Sequence, residues 1–268
     1  MGRSGLRIPA PSWAPATCEH RHMARRRFLV DRIADNTAEL RGEDARHLAR
    51  VLRATPGQQY EISDGAAVYL AEISAIEKDR VVFGALAALD SPAAPVRVVL
   101  LAALIKFDRF EWLIEKATEL GIAAIIPVNA ARSDKGLLEA SGKRAARWRR
   151  IAHESSQQAR RLGAPEIAAP QPLGAALADS PAPHFFLDEK PGAPPLLSAL
   201  PPPGERRFAD SVALLTGPEG GWTEPERASA WAAGWTPVSL GPFILRAETA
   251  AVTAAGMLMH AWWASQLE

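Results

Sequence analysis

The pattern of hydrophobic and polar positions changes near residue 90. Before it, short apolar runs rich in Val, Ile, Tyr and Phe are separated by turn pairs such as Asp64-Gly65, which predicts strands at 27–30, 38–41, 59–63, 68–76 and 80–86. One helix is predicted at 44–53, because Leu48, Val51 and Leu52 share a face and Pro56-Gly57 follows. Five short strands with one helix indicate a small β-barrel.

Strands and helices alternate after a linker at 87–95. Continuous or short apolar runs predict buried strands at 98–104, 122–128, 185–187, 212–216 and 237–240. Helices are predicted to begin at Asp108, Ser141, Thr223 and Thr249, and Glu226 completes a capping box with Thr223. The proline-rich stretch 191–204 is expected to be a loose surface loop. This alternation predicts an α/β domain with a mainly parallel sheet.

Composition narrows the class of protein. The chain has 268 residues, of which 48% are hydrophobic and 23% charged, as in a soluble globular protein. The single cysteine, Cys18, excludes a disulfide framework and favours a cytoplasmic setting. Scattered histidines predict no metal site, and no apolar run is long enough for a membrane span. Residues 1–22 lack an apolar core and periodicity, so we expect a disordered extension before Met23.

Charge is unevenly distributed. The net charge of +1 is weak evidence against a nucleic-acid partner. Seven Lys/Arg against the single acid Glu154 nevertheless give 143–161 a local charge of +6, and 25–27 adds a second basic patch. A solvent-exposed helix face explains such a run equally simply. The excess of cations here, in a chain that is nearly neutral overall, nevertheless favours a polyanionic partner.

Two segments carry candidate chemistry. In 214–222 a buried strand runs into a loop with three glycines and then a helix, which suits either a close-packed ligand or a tight turn. In 240–250 a strand ends at Gly241-Pro242, and a helix follows beside Arg246, Glu248 and Thr249. Helix capping explains Thr249, whereas a cation at a helix N-terminus opposes the dipole and needs another reason.

These motifs resemble a known family, the small-subunit ribosomal RNA uridine-N3 methyltransferases of the SPOUT class. The resemblance runs from Arg26 onward and rests on five motifs in the same order: His47-Leu48 with Val51-Leu52-Arg53, Lys106-x-x-Arg109-x-Glu111 with 115–121, Arg147-Trp148 with Ile151-Ala152, the 217–221 glycine loop, and Leu240-Gly241 with Ile244-Leu245-Arg246-x-Glu248-Thr249. Each motif is weak alone, and their order makes the set specific.

The resemblance implies a PUA-like β-barrel at 23–90 and a SPOUT-type parallel sheet with a C-terminal trefoil knot at 96–268. It also implies S-adenosylmethionine as methyl donor, a homodimer, and a uridine in the decoding region of 16S ribosomal RNA as target. We considered two alternatives: a SPOUT enzyme acting on transfer RNA or on a ribose hydroxyl, and a non-catalytic RNA-binding protein. The intact glycine loop and the Arg-x-Glu-Thr sequence argue against the second.

The resemblance, the charge pattern and the chemistry of methyl transfer together suggest roles for individual residues. The expected catalytic residues are Arg246, which would stabilise a uracil anion, and Glu248 or Glu219 as base. The expected cofactor-binding residues are Leu215, Thr216, Gly217, Pro218, Gly220, Gly221, Leu240, Gly241, Ile244, Leu245 and Thr249. The expected RNA-binding residues are Arg25, Arg27, Arg53, Arg109, Arg132, Lys143, Arg147, Arg150 and Arg161.

Three positions depart from the family pattern. Phe243 stands where the family often has arginine, Arg160 where a small residue is common, and Gln157 where glutamate is frequent. We expect all three near the RNA-binding face, so the departures put individual RNA contacts in doubt. They leave the glycine loop untouched.

Overall fold

The computed structural model describes residues 26–267, which form two sheets. The N-terminal sheet has the strand order β1-β4-β5-β6-β3-β2, with only β1 and β4 parallel among its neighbours. Its strands are β1 (Arg27–Leu29), β2 (Ile33–Ala34), β3 (Thr37–Arg41), β4 (Gln59–Ser63), β5 (Val68–Glu77) and β6 (Arg80–Leu89). The five predicted strands are confirmed, and the two-residue β2 was not predicted. The predicted extension at 1–22 lies outside the described residues.

Two details of this part differ from the prediction. The helix is α1 (Gly42–Arg46) followed by a π-helical turn, His47–Val51. Leu48 is fully buried as predicted, but Val51 and Leu52 are exposed, because the wider π turn moves them off the 3.6-residue stripe. The linker is also shorter than predicted, because Ala87 and Leu89 still pair with β5.

The second sheet is parallel throughout, with the order β10-β8-β7-β12-β11-β13 and β9 beside β8. Its strands are β7 (Val96–Ala103), β8 (Ala124–Asn129), β9 (Glu166–Ile167), β10 (Gln171–Pro172), β11 (His184–Leu187), β12 (Asp210–Thr216) and β13 (Thr236–Val238). The predicted parallel α/β sheet is therefore confirmed. Both faces of β7 and β12 are buried, which explains their continuous apolar sequence.

Helices cover both faces of this sheet. They are α2 (Phe107–Glu119), α3 (Leu137–Gln158), α4 (Leu173–Ala178), α5 (Leu196–Ala199), α6 (Glu224–Ala232) and α7 (Ala247–Ser265). Trp148 of α3 and Trp262 of α7 belong to one core, and Leu177 of α4 and Ala230 of α6 to the other. The chain therefore surrounds its central strands with two apolar layers.

Several predicted helix starts were wrong. Helix α3 begins at Leu137 after Gly136, so Ser141 lies inside the helix and donates a hydrogen bond to the carbonyl of Leu138. Helix α2 begins after Lys106, and α7 after Arg246, which places Asp108 and Thr249 inside the first turns. The capping box of Thr223 and Glu226 is confirmed. The stretch 191–204 is not loose, because Leu196 in α5 is fully buried.

A polar seam joins the N-terminal sheet to α3. Asp44 accepts hydrogen bonds from His153 (2.6 Å) and from the Gln157 amide (2.8 Å). The Ser63 hydroxyl donates to the carbonyl of Leu162 at 2.6 Å. Gln157 is buried here, so the expectation that it faces RNA was wrong. Arg160 is exposed near Glu61, and its place on the RNA-binding face stays a prediction.

Candidate active site

The carboxyl ends of β11, β12 and β13 meet at one edge of the parallel sheet, where ligands of such sheets are bound. A cavity of about 540 Å³ lies there, within the usual range for a small-molecule site. The glycine loop 216–222 forms one wall and the loop 239–246 the other, while Arg109 of α2 and residues 187–189 close the sides. The two segments predicted to carry chemistry therefore lie together.

The glycine loop is shaped by Trp222, whose ring folds back under it. The indole Nε1 donates a hydrogen bond to the carbonyl of Leu187 at 2.8 Å. A Cβ on Gly217 would lie 3.0 Å from this ring, and one on Gly221 would lie 2.5 Å from Glu189 Oε1. Gly221 also has a φ of +68°, so a side chain there would be disfavoured by the backbone conformation as well as by the contact with Glu189. The backbone can follow this path only because these residues are glycine.

Side chains from neighbouring segments brace the same loop. Arg132 donates to the carbonyl of Gly220 at 2.8 Å, which explains an arginine directly behind the cavity. Glu226 accepts hydrogen bonds from the backbone N–H of Ala131 and of Thr223. The capping box therefore also ties α6 to the chain after β8, so the helix start and the loop are positioned together.

A buried ion pair lies at the end of β11. Arg227 of α6 forms a forked pair with Asp188, with its Nε 2.9 Å from Oδ2, and both residues are more than 90% buried. The hydrogen bond to Asp188 raises the pKa of Arg227 above its ordinary value. The same guanidinium reaches Glu189 at 3.0 Å and the carbonyl of Trp222 at 2.7 Å.

Charged groups cluster at the mouth of the cavity. Arg109 is hydrogen-bonded to Glu219, and its Nε lies 3.9 Å from Glu248 Oε1. Glu248 is buried, and its Oε2 has no hydrogen-bond partner within the described part of the chain. Arg246 is exposed directly before α7. Arg109, Glu219 and Arg246 therefore line the cavity, and the buried carboxylate of Glu248 lies beside Arg109, outside the lining.

Most predicted cofactor-binding residues line the cavity, but two do not. Leu215 is buried within β12 and Thr249 points to solvent from the first turn of α7, so neither contributes to the lining. The sequence reasoning missed Leu187, Asp188 and Glu189, although they follow a predicted buried strand. The strand-end rule that selected the other two loops applies equally to them.

The predicted RNA-binding residues divide into three groups. Arg53, Lys143, Arg147 and Arg150 are exposed; Arg109 lines the cavity, and Arg132 donates to the carbonyl of Gly220 from outside the lining. Arg27 was assigned wrongly, because it is buried against Glu61, with an Nε to Oε2 distance of 3.1 Å. Arg161 was also assigned wrongly: it donates to the carbonyls of Thr118 and Ile122, and burial lowers its pKa to about 10. Arg25 lies outside the described residues.

Two other classes of site are absent from residues 26–267. No group of three or more His, Cys, Asp or Glu side chains is arranged to hold a metal ion there. No helix in that range is long and apolar enough to cross a membrane.

The sequence matches two protein-family profiles. The first, described as an RNA methyltransferase domain, matches residues 92–259, and the second, described as an RNA methyltransferase PUA domain, matches residues 40–85. These spans correspond to the parallel sheet with its helices and to the N-terminal sheet.

Curated relatives carry one shared name. The ribosomal RNA small subunit methyltransferase E of Synechocystis is 32% identical, with 84% of this chain and 73% of the relative covered. The Bacillus subtilis protein of the same name is 30% identical, with 84% and 90% covered.

Solved structures agree with these sequence matches. The ribosomal RNA small subunit methyltransferase E of Neisseria gonorrhoeae, bound to S-adenosylmethionine, superposes with a TM-score of 0.78 at 28% identity, with 89% of this chain and 98% of that chain covered. A Legionella pneumophila methyltransferase structure in complex with the same cofactor has a TM-score of 0.74 at 28% identity, with 88% and 98% covered. Family profile, sequence relatives and fold agree, and the chain belongs to the ribosomal RNA small subunit methyltransferase E family.

Proposed function

We propose that this protein transfers the methyl group of S-adenosylmethionine to N3 of a uridine in the decoding region of 16S ribosomal RNA. The observation that carries the proposal is the meeting of the glycine loop, the 239–246 loop and the charged pair Arg109 and Glu219 at one cavity. The cofactor bound by the Neisseria gonorrhoeae relative supports the choice of methyl donor.

The residues of the cavity fit that cofactor. Bare glycine backbone at Gly217, Gly220 and Gly221 allows an adenosine and its amino-acid tail to approach closely. The backbone of 239–245 and the side chain of Leu187 supply further hydrogen-bonding groups and apolar contact. Glu189 adds a carboxylate, for which the hydroxyls and the ammonium group of this cofactor are suitable donors.

The reaction exchanges a proton for a methyl group at N3. When bound, S-adenosylmethionine supplies an activated methyl group on a sulfonium sulfur and leaves as S-adenosylhomocysteine. The N3–H proton must go to a base, for which the predicted candidates are Glu219, which lines the cavity and is hydrogen-bonded to Arg109, and Glu248, which is buried beside Arg109. Arg246 then stabilises the negative charge that develops on the uracil carbonyl oxygens.

RNA is expected to reach the cavity over the exposed basic side chains of α3. Lys143 and Arg147 lie on its solvent face, and Arg109 and Arg246 lie at the mouth. A uridine in a single-stranded or splayed region can enter such a cavity, whereas a base stacked in a duplex cannot. This argument supports ribosomal RNA as the partner together with the names of the relatives.

The proposal includes two domains, at 23–90 and 96–268, and a trefoil knot in the second. Hydrogen bonds on both sides of β13 favour the knot: Asp188 N–H donates to Val238, and Leu196 N–H donates to Ser239. The connection from β11 to β12 thus contacts both sides of the segment that leads to α7. Passage of that segment through the connection would produce the knot.

The proposal also includes a homodimer in the cytoplasm. The outer side of α7 forms an apolar groove with Met257 and Ala264, bordered by Leu197 of α5. Trp263 on the same helix is 55% exposed. A second copy covering this groove would bury side chains that are otherwise in contact with water.

Two assays test the proposal directly. Calorimetry should detect S-adenosylmethionine binding to the purified protein, and the protein should then methylate 16S ribosomal RNA or the small ribosomal subunit. Digestion and mass spectrometry should locate the methyl group on a uracil base. A methyl group on ribose, or methylation of transfer RNA in preference to 16S RNA, would contradict the proposed substrate.

A further inference from the structure

We infer that Arg227 is a positioning residue for the cofactor site, acting through Asp188, Glu189 and Trp222. The inference rests on the proposed function only in taking S-adenosylmethionine as the ligand of the cavity. Arg227 itself does not line the cavity, whereas Asp188, Glu189 and Trp222 do; its fourth partner, Glu224, at 3.0 Å, lies outside the lining. It therefore acts from behind the wall and not by contact with the ligand.

The geometry of Arg227 joins three segments that are distant along the chain. Its Nε and Nη2 bond to the Asp188 carboxylate at 2.9 and 3.0 Å, which fixes the end of β11. Its Nη1 donates to the carbonyl of Trp222 at 2.7 Å, which fixes the exit of the glycine loop. A planar guanidinium has five donors in a fixed fork, so one side chain can hold both segments at a set separation.

Glu189 connects Arg227 to the surface of the cavity that faces the ligand. Its Oε1 accepts a hydrogen bond from Arg227 Nη2 at 3.0 Å, and the same atom is the one that a Cβ on Gly221 would meet. Half of the Glu189 side chain is exposed towards the cavity. Arg227 thus fixes the direction of a carboxylate that faces the ligand, at the point where the glycine loop passes closest to β11.

Lysine cannot replace this contact set. Its ammonium is a single point of charge on a flexible stem, so it can pair with Asp188 but cannot also hold Glu189 and Trp222 in one plane. Methionine removes the charge and leaves Asp188 buried without its partner, which costs stability as well. Stability loss and pocket disorder must therefore be separated in the experiment.

The chain offers a matched control for that separation. Arg27 forms a comparable buried pair with Glu61 in the N-terminal sheet, at 3.0 Å and with similarly low exposure. Arg27→Met removes a buried ion pair outside the lining of the cavity. The double variant Arg227→Met/Asp188→Asn removes both charges together, so no unpaired carboxylate is left buried. The hydrogen bonds to Glu189 and Trp222 are still absent in this variant.

The experiment measures S-adenosylmethionine affinity by calorimetry, KM and kcat by methyl transfer, and Tm for each variant. We expect Arg227→Lys, Arg227→Met and the double variant to raise Kd and KM for the cofactor by about tenfold or more, since each loses charge-assisted hydrogen bonds. The kcat at saturating cofactor should change by less than about twofold, as expected for an effect on binding alone. Arg27→Met should lower Tm without altering Kd.

Three results would overturn the inference. The first is a Tm loss in Arg227→Met with unchanged Kd, and the second is recovery of both Tm and Kd in the double variant. The third is an equal rise in Kd in Arg27→Met, which would make the effect one of global stability. Failure of the wild-type protein to bind S-adenosylmethionine would instead contradict the proposed function, on which the inference depends.

Discussion

The two loops that form the walls of the cavity are built differently. The glycine loop is bonded to residues outside it through Arg132, Arg227 and the Trp222 indole. In the facing loop, the side-chain hydrogen bonds among described residues are local, between Ser239 and Gly241. Phe243 and Ile244 of that loop are 82% and 90% exposed.

This difference separates two tasks. A wall braced by buried charges and an indole hydrogen bond is preorganised, so it can fix where the cofactor lies before anything binds. A wall with exposed apolar side chains and few internal bonds has low local stability, so it gains order from what it contacts. We therefore assign cofactor placement to the first loop and adaptation to RNA or a partner subunit to the second.

The largest effect is expected in the 239–246 loop. Arg246→Ala should lower kcat by about 10²–10³-fold, because a donor aimed at developing charge is lost. Cofactor Kd and Tm should stay at wild-type values, since Arg246 is exposed and its loss leaves no buried group without a partner. Single-turnover methylation measures the rate. Wild-type turnover in this variant would remove Arg246 from the chemistry.

Changes in the glycine loop should alter the affinity for the cofactor. Gly221→Ala should weaken cofactor binding by about tenfold, or ~1.4 kcal/mol, because its Cβ must displace Glu189. Gly57→Ala is the control: it has a φ of +87° but open space around it. Both should lose about 1–2 kcal/mol of stability from the left-handed backbone. Equal Kd values for the two variants would contradict the assignment.

Hydrogen exchange compares the walls directly. Amides of 241–246 should exchange rapidly in the free protein and become at least about tenfold slower when cofactor and RNA are bound. Amides of 216–222 should change less, because their segment is already held. Peptide-level mass spectrometry resolves the two stretches. Equal protection of both loops in the free protein would remove the distinction between them.

A smaller effect concerns RNA. Lys143→Gln should reduce the slope of log K against log salt by about 0.7–0.9 if the ammonium contacts one phosphate, and affinity should fall a few-fold. Lys78→Gln makes the same charge change in the exposed β5–β6 turn and should leave the slope unchanged. Titrations of an RNA fragment at several salt concentrations give both slopes. Identical slopes in wild type and Lys143→Gln would exclude this contact.

The smallest effect is expected at the polar seam between the N-terminal sheet and α3. Hydrogen bonds join distant segments there, as they do at the glycine loop. The hydrogen bond to Asp44 raises the pKa of His153, so the pair stabilises the fold below the unfolded pKa and loses that contribution as pH rises through the folded pKa. Because His153 is about a third exposed, His153→Ala should cost under about 1 kcal/mol at pH 6. At pH 9 the cost of losing this pair should be smaller. Urea unfolding at the two pH values checks the sign.

Local signals were sufficient for part of the fold. The capping box of Thr223 and Glu226 and the apolar runs of β7 and β12 depend on neighbours in sequence, and all were predicted correctly. Ser141 shows the limit: a good capping residue lies inside α3, because Gly136 with a φ of +84° lets the helix begin earlier. Residue type alone does not distinguish these two positions.

The parts of the site that follow β12 and β13 were predicted, because glycine follows those strands. The part that follows β11 has no such glycine and was missed. Both loops were found because Gly-rich turns follow apolar runs, but Glu189 looks like any surface acid until β11 is placed beside β12. Arg27 and Arg161 failed for a related reason. Their partners, Glu61 and the carbonyls at the end of α2, lie 34 and about 40 residues away, so the sequence shows two basic residues but not the groups that they bond.

The most direct test of the central claim is the methylation state of 16S ribosomal RNA in cells that lack this protein. Digestion and mass spectrometry should show one 3-methyluridine missing from the deletion strain. The wild-type gene should restore it, and the Arg246→Ala gene should not. An unchanged set of methylated nucleotides in the deletion strain would contradict the account.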